Sequence, residues 1–123
     1  MKLRIQGNSL RLRLTQPEVQ LIGELETGQE SMEVGSGSPD FTYSLYVHTE
    51  NQSVQVQHQS HGIRVSISAE LAQNWASTDQ VGIEEHITLG NDKELQVLIE
   101  KDFRCLHRNN KEEPHQFPNP AAS

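Results

Sequence analysis

Cys105, His107 and His115 are the residues of this 123-residue chain whose types and spacing best suit chemistry. A thiolate and imidazoles are good ligands for zinc or copper, and Glu112 or Glu113 would supply a fourth group. Structural zinc sites draw on two paired ligand blocks, however, and all of these residues lie in one polar stretch without a second pair. On an extended strand Cys105 and His107 share a face, which places the imidazole to serve as base for a nucleophilic thiol. A reactive thiol needs an electropositive, partly exposed setting, whereas Asp102, Glu112 and Glu113 flank this one. His58 and His61 have ligand-like spacing, but on a hairpin turn their rings need not converge. Glu84-Glu85 and Glu112-Glu113 are adjacent, so on a strand each pair splits between two faces and makes no acid–base couple. No phosphate loop, dinucleotide fingerprint or nucleophile elbow occurs. The expectation is a protein that is not an enzyme and needs no cofactor.

The second set of candidates is cationic. Lys2, Arg4, Arg11 and Arg13 fall in the first 14 residues, where there is no acid, leaving six basic residues against all 17 acidic ones. Gly7-Asn8 is a turn pair between two alternating runs. A hairpin closed there puts Leu3, Ile5, Leu10, Leu12 and Leu14 on one face and all four cations on the other. That strip suits phosphate or an acidic partner; its plainer role is a solvated, charged sheet face. The net charge of −7 and the 5% aromatic content argue against nonspecific nucleic-acid binding and against a base-stacking platform.

The elements that position these residues read as mostly β. Thr15-Gln16-Pro17-Glu18 has the spacing of a capping box, with the proline tolerated in a first turn. The helix is expected from Gln16 to Glu26 with Val19, Ile22 and Leu25 on its apolar stripe and Gly28 as its stop. Met32 and Val34 suggest a short strand, and Phe41, Tyr43, Leu45 and Val47 alternate clearly. After Glu50-Asn51-Gln52 the order restarts. A strand at Val54 and Val56, a turn at residues 58–62, and a strand at Ile63, Val65 and Ile67 lead to a helix capped by Ser68 and carrying Leu71 and Trp75. Strands through Ile83 and through Val97 and Ile99 follow.

The halves thus repeat. Leu12-Arg13-Leu14-Thr15 corresponds to Val65-Ser66-Ile67-Ser68, and Glu18-Val19 to Glu70-Leu71 with one residue dropped. The first turn is expected to be two residues longer in the second half, and the first helix about one turn longer in the first. With 33% hydrophobic residues neither half alone buries a comfortable core. Together, two ββαββ units (1–49 and 52–104) are expected to form one α+β, mostly β domain over 1–108. Its architecture is expected to be a small closed or partly closed barrel with two short helices, which would hide strand edges. Residues 109–123, polar and carrying Pro114, Pro118 and Pro120, read as a flexible tail in which Phe117 is placed to dock on the domain or a partner.

The segment Gly7-Asn8-Ser9-Leu10, followed by Leu12-Arg13-Leu14 and Glu18-Val19, resembles the opening of AbrB- and MazE-like swapped-hairpin proteins. Residues 63–71 with Val81-Gly82-Ile83 resemble the same element again. Members of that family are usually homodimers of ββαββ units, and the resemblance implies both units fused in one chain. The corner proline of that family is displaced to Pro17 in one half and absent in the other. The chain also resembles a family of small bacterial proteins of unknown function, through residues 2–9 on to Thr15, residues 97–106 and Phe117-Pro118-Asn119-Pro120; that likeness implies no activity or site residues.

Three functions follow as expectations. The first is a non-catalytic binding module for a protein or small ligand. The second, by the AbrB and MazE resemblance, is a DNA-binding regulator or antitoxin-like protein using Lys2, Arg4, Arg11 and Arg13, with Arg64 as the second half's counterpart. The third is a metal- or thiol-dependent protein using Cys105, His107 and His115. One cysteine permits no internal disulfide, which fits a reducing, cytoplasmic location. No apolar run approaches the ~20 residues of a membrane helix, so no membrane partner is expected. A monomer and a homodimer both fit.

Overall fold

The computed structural model describes residues 1–49 and 53–103. The chain runs β1 (Lys2–Gln6), β2 (Ser9–Leu14), α1 (Gln16–Gly23), β3 (Gly28–Met32), β4 (Phe41–His48), β5 (Gln55–Gln59), β6 (Gly62–Ser68), α2 (Ala69–Ser77), β7 (Gly82–Thr88) and β8 (Glu94–Lys101). No helix is long and apolar enough to cross a membrane.

Alternation builds the first hairpin. Leu10, Leu12 and Leu14 are buried while Arg11 and Arg13 between them stay half-buried. The Asn8 side chain donates to the Glu94 carbonyl at 2.8 Å, and the Gln96 amide donates to the Asn8 carbonyl at 3.1 Å. The turn is thereby pinned to β8, 86 residues away in sequence.

At the start of α1 the Glu18 carboxylate reaches back to accept from the Thr15 amide at 2.8 Å, one half of a capping box. The helix ends sooner than its apolar pattern implies. Leu25, not Gly28, takes the left-handed conformation (φ 66°). The Leu25 amide then donates to the Ile22 carbonyl and the Glu26 amide to the Leu21 carbonyl, which closes the helix in a Schellman motif. Gly28 is free to open β3 instead, pairing with Leu45. The strand expected at Met32 and Val34 accordingly lies earlier, and both side chains are exposed.

α1 packs on α2. A Cβ on Gly23 would come within 2.6 Å of the Ala76 Cβ, so the helices meet where one of them has no side chain at all. This explains a glycine inside a helix, where it costs about 1 kcal/mol relative to alanine.

The strands form two four-stranded sheets, ordered β1-β2-β8-β7 and β3-β4-β6-β5. Each sheet joins one hairpin from residues 1–49 to one from residues 53–103. The joint is parallel in both sheets, β2 with β8 and β4 with β6, and the outer pairs are antiparallel. The expected barrel is not found: among the described residues, pairing stops at β1 and β7 in one sheet and at β3 and β5 in the other. Closure is not needed to hide apolar surface, because one contiguous buried cluster draws on both sheets and both helices. Leu12, Ile99, Leu45, Val65, Ile22 and Trp75 are among its members.

Other details of the correspondence between halves also change. Both first hairpins have two-residue turns, Gly7-Asn8 and Ser60-His61, because Gly62 belongs to β6 rather than to the turn. α2 is one residue longer than α1, not a turn shorter. The buried helix positions are Val19 and Ile22 in α1 and Ala72 and Trp75 in α2. Both pairs stand at the same distance from their caps, Thr15 and Ser68, so no residue is dropped between the halves.

The Met1 α-amino group lies 2.5 Å from a Glu18 carboxylate oxygen and 3.1 Å from one of Glu30, while the Tyr43 hydroxyl donates to the Met1 carbonyl at 3.1 Å. Burial alone would push the Glu18 carboxyl up, but hydrogen bonds from the amine and from the Thr15 amide outweigh it and hold the group below its ordinary value. Burial likewise acts to lower the amine, and the hydrogen bonds to Glu18 and Glu30 outweigh it and raise it. A carboxyl depressed in the folded state contributes stability above its unfolded pKa and loses that contribution as pH falls through the folded one. The raised amine contributes fully below its unfolded pKa and loses that as pH rises through its folded value. Urea midpoints measured against pH are therefore expected to fall off on both sides of a neutral plateau. Glu18→Gln is expected to flatten the acid side.

Candidate functional site

The hairpin register brings the four early cations together. Lys2 pairs with Arg13 and Arg4 with Arg11 across β1 and β2, so two like-charged pairs stand directly opposite one another on the face away from the leucines. Such pairs destabilise a sheet. The side chains line a shallow hollow of about 310 Å³ together with Leu3.

β8 supplies partial neutralisation. Glu100 stands beside Arg13 in the parallel register and accepts from its Nε at 2.9 Å, with the Arg11 Nε at 3.6 Å from the same oxygen. Lys2 Nζ lies 3.7 Å from an Asp102 carboxylate oxygen. Arg4 has no acidic partner among the described residues. These pairs are partly exposed, so each contributes little to stability, and one carboxylate shared by two guanidiniums leaves the strip net positive.

Arg64 does not join this group. It lies in the other sheet, paired with Ser44 and Gln57, and its guanidinium sits 4.9 Å from the centroid of the Tyr46 ring. Among the described residues it is the single arginine or lysine of the β5–β6 hairpin, at the register position that Arg11 holds on β1–β2, so the second hairpin carries one such cation where the first carries four.

Across the same sheet the charge reverses. His86 on β7 lies with both ring nitrogens 3.2 Å from carboxylate oxygens, Nδ1 at Glu94 and Nε2 at Glu84. The hydrogen bonds to Glu94 and then to Glu84 raise the imidazole above its ordinary value. Sequence reasoning missed this group. Its only signal is the Glu84-x-His86 alternation followed by a turn that returns Glu94. Glu85 occupies the opposite alternation, so the Glu84-Glu85 pair splits between faces as expected. Among the described residues no three histidine, cysteine or carboxylate side chains converge as a metal site. His58 pairs with Ile63 on β5 while His61 sits in the turn. Cys105, His107 and His115, with Glu112, Glu113, Phe117 and the expected boundary at 108, lie outside the described residues.

A larger hollow, about 730 Å³, opens between the two helices at the ends of β2 and β8. Leu14, Val19 and Ala76 give it apolar walls, and Gln20, Gln73 and Lys101 give it polar ones. The Lys101 ammonium is engaged, donating to the Thr78 carbonyl at 2.9 Å. This cleft is the right size for a small ligand, and no cysteine or histidine stands among the described residues that line it. No local pattern in the sequence announces it, since its walls come from four elements.

Neither a curated protein nor a solved structure matches the sequence. A family model does, over residues 1–121, and on that match the chain belongs to the family of unknown function DUF7009.

Proposed function

We propose that this protein is a non-catalytic binding module whose β1–β2 face takes an acidic segment of a partner protein. The observation that carries the reading is the double like-charge pairing, Lys2 opposite Arg13 and Arg4 opposite Arg11. Folding gains nothing from that arrangement, whereas an incoming row of carboxylates would relieve it. Glu100 and Asp102 already show where carboxylates sit on this face. A short strip bordered by Glu84, Glu94 and Glu100 matches an acidic peptide better than a long polyanion, which those acids and the net charge of −7 would repel.

We also infer that the two ββαββ halves are a pseudo-duplicated pair, in keeping with the swapped-hairpin resemblance. Exchanging the first four strands with the last four turns the order of one sheet into that of the other. Gln55 and Ser66 then pair as Lys2 and Arg13 do. In this reading the duplicated hairpin carries four cations in one half and a single arginine, Arg64, in the other, in a cytoplasmic, reducing setting.

A second reading, a DNA-binding regulator, is favoured by one feature: the cations share a face of a hairpin and Arg4 is unpaired among the described residues. It requires a twofold-matched surface, which a chain with one basic hairpin supplies only as part of a dimer.

Anisotropy titration separates the two. A fluorescein-labelled oligoglutamate peptide is expected to bind at low salt, with affinity falling as salt is raised, and a mixed-sequence duplex is expected to bind more weakly. Tighter binding of the duplex than of the peptide would replace the first reading by the second, and no salt-sensitive binding of either would end both.

A further inference from the structure

The four edge strands are not alike. β1 carries Lys2 and Arg4, β3 carries Glu30, and β7 carries Glu84, Glu85 and His86. β5, Gln55–Gln59, has no lysine, arginine or carboxylate and no proline. Its five residues pair with β6 in unbroken register from Gln55↔Ser66 to Gln59↔Gly62, and four of the five are exposed. Sheets protect their edges with charge, proline, bulges or a covering element. Among the described residues β5 has none of these, although β1, its counterpart in the first hairpin, has two cations at the positions held by Gln55 and Gln57.

We propose that β5 is a pairing edge and that its occupant is β5 of a second copy of this chain. Antiparallel pairing about a twofold axis sets the middle residue of a strand opposite its own twin. On β1 that residue is Arg4, on β3 Glu30 and on β7 Glu85, so each of those edges repels itself at its centre. On β5 it is Gln57, flanked by Val56 opposite His58 and Gln55 opposite Gln59. Two glutamine amides exchange hydrogen bonds across the axis, and the backbones join two four-stranded sheets into one of eight. The edge is thus chemically self-complementary where the other three are self-excluding. A five-residue ladder buries less than the roughly 1,200 Å² of a standard stable interface, so pairing is weak and concentration-dependent. This inference does not depend on the acidic-partner reading, and its salt dependence has the opposite sign. Each copy carries −7, so added salt screens repulsion between copies and strengthens the dimer, while it weakens peptide binding on β1–β2.

Sedimentation equilibrium of the full chain tests it, between about 10 μM and about 1 mM, the range of weak association. The protein is expected to pass from monomer to dimer, at lower concentration when salt is raised. Gln57→Lys and Gln57→Glu are each expected to remain monomeric, with circular dichroism melts confirming that both fold, since Gln57 also faces Arg64. An equimolar mixture of the two is expected to regain the dimer, because lysine and glutamate then meet at the axis. A wild-type chain that stays monomeric throughout would overturn the proposal. So would a dimer that persists in both single variants, or folded variants whose mixture does not associate.

Discussion

Gly62→Ala is expected to destabilise the protein by at least about 3 kcal/mol, at the high end for a single substitution. A Cβ at this position would stand 1.7 Å from the Thr42 carbonyl oxygen and 2.7 Å from its carbon. Neither atom belongs to a flexible side chain that could swing away. Gly62 pairs with Thr42 at the start of the parallel β4–β6 joint, and the Thr42 amide donates to the adjacent His61 carbonyl at 2.9 Å. Room for a methyl group therefore means parting the two strands that hold the second sheet together. Ser9 holds the corresponding place in the first sheet, opposite Gln96, and there a side chain is accommodated. Urea unfolding of both variants checks the argument: Ser9→Ala is expected within about 0.5 kcal/mol of wild type, as for an ordinary surface change. Equal effects at the two positions would show that the close approach to Thr42 is not what demands glycine.

Trp75→Ala is expected to lose about 3–5 kcal/mol, the range for emptying a buried aromatic site. Trp75 is fully buried on α2, among side chains from both sheets and from α1. Its indole Nε1 donates to the Val81 carbonyl at 3.1 Å, which ties the helix to the entry of β7. The same carbonyl also accepts from the Lys101 amide at 3.0 Å. Trp75→Phe removes the donor without orphaning that oxygen and is expected to cost only about 1–2 kcal/mol, much of it from lost volume. Far-UV circular dichroism is the proper probe, because Trp75 is the only tryptophan and its fluorescence disappears with it. A small effect of Trp75→Ala would mean that the two helices are not seated in the shared core.

Local patterns carried much of this architecture. The alternation of Leu10, Leu12 and Leu14 with Arg11 and Arg13 places the cations on one face without further information, and the Thr15–Glu18 spacing locates the start of α1. The Ser68 cap is likewise legible: its hydroxyl accepts from the Leu71 amide at 3.1 Å. What local patterns do not carry is partner choice between distant strands. β2 pairs with β8 across most of the chain length, and nothing in Leu10-Arg11-Leu12 specifies Val97-Leu98-Ile99 rather than another apolar strand. That is why the local pattern is compatible with a ring of strands, whereas the hairpins pair off in two sheets. It is also why no local pattern marks Glu100 and Asp102 as neighbours of Arg13 and Lys2. Gly62 reads as a turn residue because glycine usually marks turns; its actual role, making way for a neighbouring carbonyl, has no signature in one sequence. The His86 group was hidden for a related reason, since its second carboxylate, Glu94, returns only through the β7–β8 turn.

If β1–β2 takes an acidic partner, its opposed cations are kept at the expense of stability. The most direct measurement takes Arg4→Gln/Arg11→Gln, which leaves Arg13 on Glu100, and determines its urea stability and its oligoglutamate affinity side by side. The account predicts a stability gain of a few tenths to about 1 kcal/mol from removing like charges across the strands. It also predicts peptide binding weakened by about tenfold, or ~1.4 kcal/mol. A variant that is less stable than wild type, or one that binds the peptide just as tightly, would contradict it.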